Sequence, residues 1–109
     1  MAIITICSFT ACATAQEKEA LLKAESFVNN LAISKQGVVE GLAQLGYSDK
    51  EIEYAIEKCG ANWKQEAVEA ARNAYNIDPE FYSDKDNLIA LLQTAGFTYE
   101  EAVYGANNI

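Results

Sequence analysis

From Glu17 to the end of the chain, apolar residues recur at spacings of three and four, and nowhere do they alternate with the period of two that a strand requires. Ala20, Ala24, Phe27, Val28 and Leu31 mark one face of a first helix over 17–31. Val38, Val39, Leu42 and Leu45 mark a second over 35–45, with Ser34 as N-cap and Gly46 where a left-handed residue closes a helix. A third begins at Ser48-Asp-Lys-Glu51, a capping box in which hydroxyl and carboxylate satisfy each other's amides. Ile52, Ala55, Ile56 and Cys59 follow on one face, and Gly60 ends it. A fourth opens with the box-like Asn62-Trp-Lys-Gln65 and carries Trp63, Ala67, Ala70, Ala71 and Ala74, mostly small enough to admit a close neighbour. The longest break is NIDPEFYSD, residues 76–84, where Pro79 bars helical geometry at Asp78. A fifth helix over 85–95 presents Leu88, Leu91, Leu92 and Ala95 and ends at Gly96. Thr98-Tyr-Glu-Glu101 is a capping box for a sixth, with Ala102, Val103 and Ala106.

These helices repeat. LGYSDKEIEYA at 45–55 and AGFTYEEAVYG at 95–105 match at a distance of fifty: Gly46 with Gly96, Tyr47 with Phe97, Ser48 with Thr98, Glu51 with Glu101, Tyr54 with Tyr104. Phe27 aligns with Tyr75 at forty-eight, so the two extra residues fall around Pro79. The pattern predicts an all-α fold of two tandem three-helix units of helix-turn-helix type, 17–61 and 62–109, after an N-terminal segment 1–16. A triplet of about 40 residues buries too little surface to stand securely alone, so the two are expected to pack together. The fourth helix closes the first triplet and opens the second.

Composition narrows the chemistry. The 109 residues include no histidine, which removes the commonest general base and metal ligand. No phosphate loop or exposed-nucleophile motif is present, and the expectation is a non-enzymatic module without cofactor or metal. Asp84-Lys-Asp86 starts like a calcium loop, but Leu88 takes the fifth position and no glycine the sixth. The net charge of −8 repels phosphate backbones and anionic headgroups. The helix-turn-helix pairs are therefore not DNA readers: the third helix holds Glu51, Glu53 and Glu57 against Lys50 and Lys58, and the sixth holds Glu100 and Glu101 with no base.

The first sixteen residues, MAIITICSFTACATAQ, carry no charge and are mostly apolar to Ala11. They resemble an export signal. Phe9-Thr10-Ala11-Cys12 resembles a lipobox, in which the Cys12 thiol is alkylated by a diacylglyceryl group and becomes the new N-terminus. Ala13-Thr14-Ala15 before Gln16 fits the small-x-small rule for an ordinary secretory cut, and an apolar start to the first helix is a third reading. No Lys or Arg precedes the apolar run, as a signal normally has.

The repeat resembles that of the host cell surface-exposed lipoproteins, some of them phage-encoded proteins that block superinfection. The first copy supplies Ala20-Leu21, Phe27, Ile33-Ser34, Gly37-Val38-Val39, Leu42, Gly46-Tyr47-Ser48 and Tyr54-Ala55, closed by Asn62-Trp63. The second supplies Ala67-Val68, Tyr75, Leu88-Ile89, Leu92, Gly96-Phe97-Thr98, Ala102, Tyr104-Gly105 and Asn107-Asn108. It departs at Ile52, at Asn87 in place of the equivalent of Gly37, and in the Pro79 loop. The resemblance implies a monomeric module tethered through Cys12 at the outer face of the cytoplasmic membrane. There it would block phage DNA entry by binding an ejected phage protein such as the tape measure protein.

The expected binding surface follows the charge. Glu17 to Tyr75 hold ten acids and seven bases, whereas Asn76 to Ile109 hold six acids and only Lys85. Asp78, Glu80, Asp84, Asp86, Glu100 and Glu101, with Tyr99, are the candidate partner-binding residues, suited to steering a basic segment. Two alternatives remain. LGYSDKEIEYAIEKCGANW also resembles ubiquitin-associated three-helix domains, which would make the chain an intracellular adaptor. A structural cell-surface repeat is the other.

Overall fold

The computed structural model describes residues 13–109. Among them are seven helices and no strand: α1 Ala15–Asn30, α2 Lys35–Gln44, α3 Asp49–Lys58, α4 Trp63–Ile77, α5 Pro79–Tyr82, α6 Lys85–Thr94 and α7 Tyr99–Asn107. Six follow the helices expected from periodicity, with ends displaced by at most two residues. Ser48–Glu51 and Thr98–Glu101 form complete capping boxes, Asn62 caps α4 by accepting from the Gln65 amide, and Gly46, Gly60 and Gly96 take positive φ.

Two differences have local causes. α1 begins at Ala15 rather than residue 17, because Thr14 and Glu17 form a third capping box: the Thr14 amide donates to Glu17 Oε1 at 2.9 Å and the Glu17 amide to Thr14 Oγ1 at 3.0 Å. The second is α5, a single helical turn inside the expected break. Pro79 ends helical geometry at Asp78, as expected, but also starts a new turn, since a proline at the first helical position lacks only an amide that would be unpaired anyway. Asp78 Oδ1 caps that turn by accepting from the Phe81 amide at 3.1 Å.

The buried residues form two clusters. Ala20, Ala24, Val38, Leu42, Ile52 and Ala55 make the first, from α1, α2 and α3. Ala67, Ala71, Ala74, Leu88, Leu92, Phe97, Ala102 and Ala106 make the second, from α4, α6, α7 and the turn between the last two. Trp63, at the start of α4, packs against the first cluster although the rest of its helix builds the second. Small residues bring α4 and α7 together: a Cβ on Gly105 would lie 2.7 Å from the Ala67 carbonyl oxygen.

Polar contacts join the two units. The Ser34 hydroxyl is buried; it accepts from the Gly37 amide at 3.0 Å and donates to the Ala95 carbonyl at 2.8 Å. It therefore caps α2 and ties it to the end of α6. Gly96 is confined by this contact, since a Cβ there would lie 2.6 Å from Ser34 Oγ, besides the strain of φ +101. The equivalent first-repeat glycine, Gly46, opens onto free space, with no atom within 4 Å of where a Cβ would sit, so the contact is head-to-tail rather than two-fold. Glu66 of α4 supplies another tie, accepting from the Ile33 amide at 3.2 Å.

Candidate partner-binding surface

The expected acidic residues do not converge. Asp78, Glu80, Asp84 and Asp86 surround α5 and the start of α6, whereas Tyr99, Glu100 and Glu101 begin α7 beyond the other end of α6. A helix of ten residues separates the groups by about 15 Å. Several of these side chains have structural partners. Asp84 Oδ1 caps α6 through the Asp86 amide at 2.9 Å, and Glu101 Oε1 accepts from the Thr98 amide at 3.0 Å. Asp78 caps α5, as described. Glu100 lies 3.9 Å from Lys64, whose ammonium also sits 5.5 Å from the centre of the Tyr104 ring. Glu80, Asp86 and Tyr99 are the exposed members without such a partner among the described residues, Tyr99 at 64% exposure. Cys12 lies outside the described residues.

A second acidic array, not singled out by the charge count, lies in the first repeat. Asp49, Glu53 and Glu57 stand at i, i+4 and i+8 on α3 and form one edge of a hollow of about 390 Å³. Ile52 and Ile56 line it from the same helix, and Val39 and Lys35 from α2. Lys35, Gln36 and Val39 also line a neighbouring hollow of about 350 Å³, bounded across the repeat junction by Gly96, Thr98 and Glu101. The signal was present in the sequence as the spacing of three acids, but only the fold sets them beside an apolar cleft.

The repeats differ on another face. Between α1 and α2, an apolar hollow of about 540 Å³ is lined by Phe27, Leu31, Ile33 and Leu45 over Gly37 and Gly41. At the equivalent place in the second repeat, Phe81 and Tyr82 of α5 lie beside Asn87 and Leu91, and the Asn87 side chain donates through Nδ2 to the Phe81 carbonyl at 2.9 Å. This accounts for Asn87: Gly37 makes room for Ile33, which a Cβ would approach to 2.7 Å, whereas Asn87 holds α5.

Glu66 is the buried carboxylate of the junction. Burial raises its pKa above the ordinary 4.5, against the lowering effect of the Ile33 amide, and the charge of Glu69 raises it further. A raised folded-state pKa contributes stability that is fully present below the unfolded value and is lost as pH rises through the folded value. Glu66→Gln is therefore expected to melt higher than the parent at pH 7, with the gap closing by about pH 4 as Glu66 becomes protonated. Thermal unfolding across that range tests this; a gap that widens toward low pH would contradict it. Glu66→Ala instead leaves the Ile33 amide without its acceptor, at a cost of about 1–3 kcal/mol.

Residues 15–58 match the model of the family described as host cell surface-exposed lipoprotein. The resemblance read from the repeat to this family holds. That description is of lipoproteins exposed at the cell surface, the location expected for this chain. Its helical fold matches the structure of Ltp, a superinfection exclusion protein from the Streptococcus thermophilus temperate phage TP-J34. The TM-score is 0.79 at 24% identity, over 90% of this chain and 99% of that one. The fold likeness therefore takes in the second repeat, which lies beyond the family match. No curated protein matches the chain significantly. Neither description is that of an enzyme.

Proposed function

We propose that this protein acts in superinfection exclusion, as a lipid-anchored module at the outer face of the cytoplasmic membrane. It binds a protein that an incoming phage ejects, such as the tape measure protein, and so blocks DNA entry. The observation that carries this reading is the near end-to-end fold likeness to Ltp, together with the family match over residues 15–58. The adaptor alternative rests on residues 45–63 alone and uses neither the second repeat nor the junction.

The capping of α1 bears on the anchor. Processing ahead of Cys12 leaves Thr14 and its box with Glu17 intact, whereas a cut after Ala15 removes the cap, which is worth about 1 kcal/mol. Lipidation at Cys12 thus preserves the folded start of the domain. Intact-mass measurement on the full chain from a Gram-positive host should show a diacylglyceryl adduct that Cys12→Ser abolishes; an unmodified thiol would exclude the anchor. Phage challenge tests the role. Expression of the full chain should reduce DNA entry for at least one phage of a host panel, and unchanged entry across the panel would refute exclusion.

A further inference from the structure

We infer that the cleft between α2 and α3 docks a basic amphipathic helix of the partner, an assignment that rests on the protein-binding reading above and locates it in the first repeat. The floor of the cleft is apolar and only half covered: Val39, Ile52 and Ile56 line it, and Val39 and Ile56 are of intermediate exposure while Ile52 is 6% exposed. Leaving such side chains partly wet is costly, and an apolar strip of a partner would dry them. Along one edge run the exposed carboxylates Asp49, Glu53 and Glu57, spanning about 12 Å. None lies within 4 Å of a basic group among the described residues, where the ion pair found is Lys64 with Glu100. A neighbouring hollow shares Lys35 and Val39 and reaches Glu101 of the second repeat, whose carboxylate caps α7. Within the cleft, three carboxylates thus face one cation, Lys35.

The complement of this surface has a definite form. Acids at successive helical turns match lysines or arginines at i, i+4 and i+8 of a helix lying along α3. Apolar residues at i+3 and i+7 of the same helix would fall against Ile52, Ile56 and Val39. Nucleic acid and anionic lipid have the wrong sign for this edge, and neither supplies an apolar strip at helical spacing. The charge sets the partner's approach and register, while the floor supplies the burial.

The test uses the full chain, a synthetic helix-forming peptide with lysines at i, i+4 and i+8 and leucines at i+3 and i+7, and its glutamate-for-lysine counterpart. Two double variants are compared, Glu53→Lys with Glu57→Lys and, as a charge-matched control away from the cleft, Glu25→Lys with Glu69→Lys. The lysine peptide should bind the parent, with binding weakened about tenfold or more by the cleft reversal and much less by the control. Equal loss in both variants, or no binding of the lysine peptide, would overturn the assignment. In phage challenge, a parent that excludes phage and a cleft variant that excludes it equally well would reject the cleft while leaving exclusion standing. A parent that excludes nothing rejects the exclusion reading, and the peptide comparison then decides the cleft alone.

Discussion

Gly105→Val is expected to destabilise the fold by about 3 kcal/mol, near the upper range for overpacking a close helix contact. A Cβ at residue 105 meets the carbonyl oxygen, carbonyl carbon and Cβ of Ala67 at 2.7, 2.8 and 2.9 Å. Two of these atoms are backbone, so no rotamer change relieves the clash; α7 must move off α4. That separation would unseat Ala102 and Ala106 from the second cluster. Gly60→Ala is the comparison, because Gly60 has φ +69 but nothing within 4 Å. Its cost is backbone strain alone, about 1–2 kcal/mol. Urea unfolding of the two variants should separate them clearly, and a Gly105→Val loss no larger than that of Gly60→Ala would mean that α4 and α7 do not approach as described.

Leu42→Ala and Leu92→Ala should each cost about 2–5 kcal/mol, since each removes a fully buried side chain from one of the two clusters. They are equivalent positions fifty apart, so they also ask whether the repeats unfold together. Trp63, the only tryptophan, reports on the first cluster, while far-UV circular dichroism reports on all helices. α4 carries Trp63 at one end and Ala67, Ala71 and Ala74 in the other core. Unfolding of the second repeat therefore removes the scaffold of Trp63, and Leu92→Ala should shift the tryptophan transition as well as the dichroism. A tryptophan transition unmoved by Leu92→Ala would show that the repeats unfold independently.

Much of the fold was legible because its signals are local. Apolar spacing located the helices, and Gly46, Gly60 and Gly96 marked their ends, since a positive φ is accessible there without a Cβ penalty. Ser48–Glu51 and Thr98–Glu101 were readable as capping boxes for the same reason. Thr14–Glu17 obeys the same rule but lies at the edge of an uncharged stretch that resembles an export signal, so two overlapping patterns competed for the same residues. α5 was missed because Pro79 both stops one helix and starts another, and a single turn has no periodicity to detect.

The candidate surface was less legible. Counting charge by chain segment pointed to the second half, yet a count does not distinguish a carboxylate that caps a helix from one that faces solvent beside apolar side chains. Asp78, Asp84 and Glu101 proved to be caps.

The sequence by itself determined six of the seven described helices and most of their ends, because each depends on residues within about one or two turns of one another, and it showed the phrase repeated at a distance of fifty and the absence of histidine. The tertiary structure alone decided that Ser34 is a joint between repeats, that Gly105 is pressed against Ala67, and that Asp49, Glu53 and Glu57 border an apolar cleft. Those outcomes depend on how helices far apart in the chain dock, and docking is set by the summed fit of many side chains rather than by any short motif.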